Sequence, residues 1–76
     1  MELQDFVQNF AAQFDETDAS EFTGTTEFKK LGEWSSILAL AIIAMVDEVY
    51  NAQIKGDDIR NSVTIEDLFK VVKNRI

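Results

Sequence analysis

Leu3, Phe6, Val7, Phe10 and Phe14 recur at spacings of three and four residues, the period of a helix with one apolar face. Glu2 and Asp5 fall in its first turn, where the helix dipole favours negative charge. This predicts a helix over about 2–14, with the aromatic stripe packed into a core. From Asp15 to about Ser35 the period is lost. The Thr23-Gly24-Thr25-Thr26 stretch is turn-like, and Phe22 and Phe28 are large apolar side chains able to pin a long loop onto the helices. Gly32 suits a sharp, left-handed change of direction before the next helix.

The second helix is expected over 36–50 and is apolar on nearly every side. On a wheel of ~100° per residue, Ala39, Ile42, Ile43, Val46, Val49 and Tyr50 share one arc, assigned to the core. The opposite arc carries Ser36, Ile37, Leu40, Ala41, Ala44, Asp47 and Glu48, with Leu38 and Met45 at its border. A protein this small cannot surround a helix, so this second face is expected to dock partners. Complete covering by the other helices, or a homodimer seam, would be the other uses of it. Lys55-Gly56-Asp57-Asp58 ends the segment and opens a short helix over 56–61, with Ile59 as its apolar anchor. The last helix is expected over 64–74. Thr64 and Asp67 approximate a capping box, Val63 and Leu68 a hydrophobic staple, and Ile65, Leu68, Phe69 and Val72 a buried face. The prediction is therefore a single all-α domain, 1–76, of three longer helices and a short third one, with a long first loop.

Composition narrows what such a domain does. A net charge of −7 in 76 residues, with a pI near 4.3, repels phosphate backbones and argues against nucleic acid. There is no cysteine and no histidine, so the chain has no thiol, no disulfide and no imidazole base. With no base near either serine in sequence, an enzyme is not expected. The acidic run Asp15, Glu16, Asp18 and Glu21 lacks the spacing of a calcium loop and reads as solvated surface. The apolar run from Ile37 to Val46 is shorter than the ~20 residues that cross a bilayer. Met1-Glu2-Leu3-Gln4-Asp5 carries no basic region of a secretory signal, so a soluble cytoplasmic monomer is expected.

The candidate chemistry lies at the entrance to the second helix. Ser35 and Ser36 stand side by side where irregular chain becomes helix, and only one residue can be the N-cap. The other hydroxyl is left over on the outside of the first turn.

Leu31-Gly32-Glu33-Trp34-Ser35-Ser36-Ile37, followed by Ala44-Met45-Val46-Asp47-Glu48-Val49-Tyr50 and Ile54, resembles an acyl carrier protein, and the likeness extends over nearly the whole chain. Thr64-Ile65-Glu66-Asp67-Leu68 resembles the start of that family's last helix. The resemblance implies a four-helix acyl-carrier bundle. It also implies a serine that receives 4′-phosphopantetheine from coenzyme A, and counting back from Asp47-Glu48 and Ile54 aligns that serine with Ser36. On this reading the protein is a phosphoprotein of fatty-acid, lipid or polyketide synthesis that holds acyl intermediates as thioesters on the arm. Its implied partners are a phosphopantetheinyl transferase and acyl-transferring or synthase enzymes with basic and apolar docking surfaces. They would meet Ile37, Leu38, Leu40, Ala41, Met45, Asp47, Glu48, Asp57 and Asp58. There are two departures from the family pattern: Ser35 replaces its aspartate, and the family's acidic second helix is apolar at Leu38 and Ala41. That points to a specialised carrier. A peptidyl or aminoacyl carrier, and an unmodified helical interaction module, are the alternatives.

Overall fold

The computed structural model describes residues 2–76; Met1, included in the expected domain, lies outside the described residues. Four α-helices form, and no strand is present among the described residues. They are α1 (Leu3–Ala11), α2 (Ser36–Tyr50), α3 (Gly56–Asn61) and α4 (Ile65–Lys73). The chain is all-α and folds to a radius of gyration of 11.0 Å. None of these helices is long and apolar enough to cross a membrane.

α1 is shorter than the period suggested, because Gln13 and Phe14 close tight turns, their N–H groups donating to Phe10 and Ala11 carbonyls. Its stripe is nonetheless core: Phe6 and Phe10 are fully buried, with Val7 and Phe14 beside them. From this stripe a ring network spreads through the molecule. It joins all six phenylalanines, Trp34 and Tyr50, with Phe10 touching the rings of Phe6, Phe14, Phe22, Phe28 and Trp34. Burying that much aromatic area, together with aliphatic residues such as Ile42, Val46, Ile65 and Leu68, stabilises so short a chain.

The long connection between α1 and α2 is ordered by its own contacts. It contains two 3-10 turns, Ala19–Glu21 and Phe28–Lys30, which periodicity did not disclose. Phe22 and Phe28 are both buried, so the loop carries its own share of the core. Its backbone also completes α4. Ile65 and Glu66, two of the N–H groups a helix start leaves unpaired, donate to the carbonyls of Thr26 (3.1 Å) and Gly24 (2.9 Å). Asp67 N–H donates to Thr64 Oγ1 at 3.2 Å, while the Asp67 carboxylate accepts from the Val63 and Thr64 N–H groups, a capping box. Val63, expected to staple onto Leu68, is half exposed.

Gly32 does not take a left-handed conformation. The direction change there is a turn in which Trp34 N–H donates to the Leu31 carbonyl. The left-handed residue is Asn51 (φ 54°), which ends α2 as its N–H donates to the Asp47 carbonyl. Ala52 and Ile54 then tuck into the core on the way to α3. Arg75 clasps the far side: its guanidinium donates to both Asp58 oxygens (2.6 and 2.8 Å) and to the Gln53 carbonyl (3.0 Å).

Candidate functional site at the start of the second helix

Ser35 is the N-cap of α2, and Ser36 is its first helical residue. Ser35 has extended backbone, and its Oγ accepts from the Leu38 N–H at 3.4 Å, a long cap bond. Ser36 is exposed, and none of the described residues hydrogen-bonds its hydroxyl. The two serines thus differ: one closes the helix, and the other is exposed on its first turn with no hydrogen bond to the described residues.

Two side chains just upstream hold that backbone, and sequence reasoning gave neither of them a role. Trp34 lies parallel to Phe10 (centroids 6.5 Å apart) and tilts against Phe28 at 4.9 Å, which ties the entrance to the deepest part of the core. Glu33 points back to the end of α1. Its carboxylate accepts from the N–H groups of Asp15 (2.9 Å), Glu16 (3.1 Å) and Thr17 (2.8 Å) and from the Thr17 hydroxyl (2.8 Å). Desolvation works against the charged form, but these four donors outweigh it and hold the carboxyl below its ordinary range. The only signal in the sequence was a lone acid next to a tryptophan, and nothing local says that its acceptors face donors 16 to 18 residues earlier.

The expected docking residues separate into four groups. Ile37 and Leu40 are 76% and 66% exposed, and Ala41 is half-buried beside them, so an apolar strip adjoins Ser36. Asp47 and Glu48 are exposed further along the same helix, roughly 16 Å from Ser36 at 1.5 Å per residue. Leu38 and Met45 do not belong to this surface. Both are buried, at 8% and 5% exposure, because the buried arc of α2 extends from Val46 and Ile42 round to Leu38 and Met45, while Ala39 and Ile43 are only partly buried. Val49, expected inside, is half exposed near the helix end. On α3, Asp57 is exposed and pairs with Arg60, whereas Asp58 is committed to Arg75 and the Lys55 N–H and offers no free charge. The Arg75 hydrogen bonds, with help from the Lys55 N–H, hold the Asp58 carboxyl below its usual range.

No protein-family model matches this chain, no curated protein matches it, and no solved structure does.

Proposed function

We propose that this protein is an acyl carrier whose Ser36 hydroxyl takes a 4′-phosphopantetheine group from coenzyme A. The observation that carries the reading is the split between the serines: Ser35 is occupied as the cap, and Ser36 is exposed and unbonded on a rigid first turn. The residues fit the group. An anionic phosphodiester at Ser36 would stand at the positive end of the α2 dipole, and no acidic residue lies in that first turn to repel it. When bound, the group supplies the thiol that a cysteine-free chain lacks. The chain's own part is to hold the attachment oxygen outward, anchored through Trp34 and Glu33, and to offer Ile37 and Leu40 as an apolar contact for visiting enzymes. Asp47 and Glu48 add charge for a basic partner, which favours fast, exchangeable encounter. The four-helix topology with a short third helix agrees with an acyl-carrier bundle.

Intact mass spectrometry after incubation with coenzyme A and a transferase of broad specificity tests this. A gain of one phosphopantetheinyl group is expected for the native chain and none for Ser36→Ala. An unchanged native mass, or a gain that persists in the variant, would overturn it. Exposed Ile37 and Leu40 are equally what an unmodified interaction module would display. That reading requires an unmodifiable chain whose sedimentation mass rises with concentration. Loading by aminoacyl-adenylating enzymes in place of acyl donors would instead identify a peptidyl or aminoacyl carrier.

A further inference from the structure

The charge of this protein is concentrated in one part of the chain. Every one of the 7 lysines and arginines lies at Lys29 or later, where an equal number of carboxylates balances them. The whole net charge of −7 therefore resides on the residues before Lys29.

That same segment forms an open trough. Between α1 and the first 3-10 turn lies a groove of about 590 Å³, whose lining includes Val7, Ala11, Phe22, Gln4 and Gln8. It continues past Gln4, Val7 and Phe22 into a second opening of about 460 Å³ beside Leu3 and Gly24. Ala12 and Ala19 at its margin are exposed, so short side chains keep the trough accessible. No residue of α2 lines either part. Asp5 in α1, Asp18 capping the first 3-10 turn and Glu21 at its end are all exposed, next in sequence to lining residues Gln4, Ala19, Ser20 and Phe22 but not themselves lining the trough.

We infer that this trough is a docking site for a cationic, amphipathic segment of a partner protein. Apolar side chains of the segment lie against Val7, Ala11 and Phe22, and its lysines or arginines reach toward the exposed carboxylates of Asp18 and Glu21 beside the lining residues. The charge selects this occupant. An anionic lipid or nucleotide would approach a segment of net negative charge, whereas a basic segment is drawn to it and held by burial of its apolar side chains. Gln4 and Gln8 offer amide donors and acceptors that suit an incoming backbone.

The test is an amide-shift titration of the labelled Ser36→Ala chain with a short capped peptide of alternating leucine and lysine pairs. Using that variant makes the outcome independent of whether Ser36 carries a group. Shifts are expected at Gln4, Gln8, Ala11, Ala12 and Ser20, with affinity falling as salt is raised. A peptide with serine in place of leucine is expected to bind at least about tenfold more weakly, a difference of roughly 1.4 kcal/mol. Adding Ala12→Arg, at an exposed margin position where folding is spared, is expected to weaken binding by a similar factor. Shifts centred on Ile37, Leu40 and Ala44, equal binding of the serine peptide, indifference to Ala12→Arg, or no binding would each overturn the proposal.

Discussion

Replacing Ser35 by alanine removes the acceptor for the Leu38 N–H, and a lost cap of this type costs about 0.5–2 kcal/mol. Because the bond is long, the low end of that range is expected in urea unfolding. Ser36→Ala removes an exposed, unbonded hydroxyl and is expected to change stability by less than about 0.5 kcal/mol. If Ser36→Ala proved the more damaging of the two, the assignment of roles would be reversed. Gly32 and Asn51 make a second contrast. A Cβ at Gly32 meets nothing within 4 Å, and its φ is not positive, so Gly32→Ala is expected to be neutral or stabilising by about 0.4–1 kcal/mol. Asn51→Val places a β-branched residue in the left-handed region and is expected to cost roughly 1–2 kcal/mol. Glycine's freedom made Gly32 the obvious turn residue in the sequence. The adjacent turn needs only ordinary dihedrals, and the left-handed position fell to an asparagine instead.

The extents of α2 and α3 were plain in the residues, since caps and breakers are local signals: α2 begins at the expected serine, and α3 ends at Asn61. Which way α2 is rolled was not. A helix apolar all round has no preferred face of its own, so the rest of the core chose Leu38 and Met45 for the inside. The long loop was legible only through Phe22 and Phe28. Its other ties are long-range: Glu33 to the turn after α1, and Gly24 and Thr26 to the start of α4. Glu33→Gln keeps an acceptor oxygen, while Glu33→Ala leaves the amides of Asp15, Glu16 and Thr17 without one. Hydrogen exchange at those three amides is therefore expected to speed up strongly in Glu33→Ala and less in Glu33→Gln. Trp34 is the only tryptophan and packs on Phe10 and Phe28, so its emission should shift red in Glu33→Ala if the loop loosens toward Ser36. Unchanged exchange in Glu33→Ala would mean that the carboxylate is ornamental.

Taken whole, the molecule is held by one aromatic core and a few carboxylates that must remain charged. Glu33, Asp18, Asp58 and Asp67 all have carboxyls held below their ordinary ranges, mainly by backbone or Arg75 hydrogen bonds to the charged form. A lowered folded pKa contributes stability above the unfolded value that is lost as pH falls through the folded one. Their joint contribution is thus present at neutral pH. It is expected to fade as pH drops below the ordinary values of 4.5 for Glu33 and 3.8 for the aspartates. Arg75, raised by the same clasp, does not titrate in this window. Thermal unfolding followed from pH 7 downward is expected to show its loss there. A melting temperature constant through that window would contradict the role given to these carboxylates. The overall all-α architecture, the apolar face beside Ser36 and the acidity of the segment before Lys29 were legible in the sequence, but the groove between α1 and the first 3-10 turn appears only when the elements are assembled.

Fragment mass spectrometry of the native chain after incubation with coenzyme A and a phosphopantetheinyl transferase bears most directly on what this surface is for. One group, located on Ser36 and never on Ser35, is the expected result. A group on Ser35 or elsewhere, or an unmodified peptide spanning both serines, would contradict it.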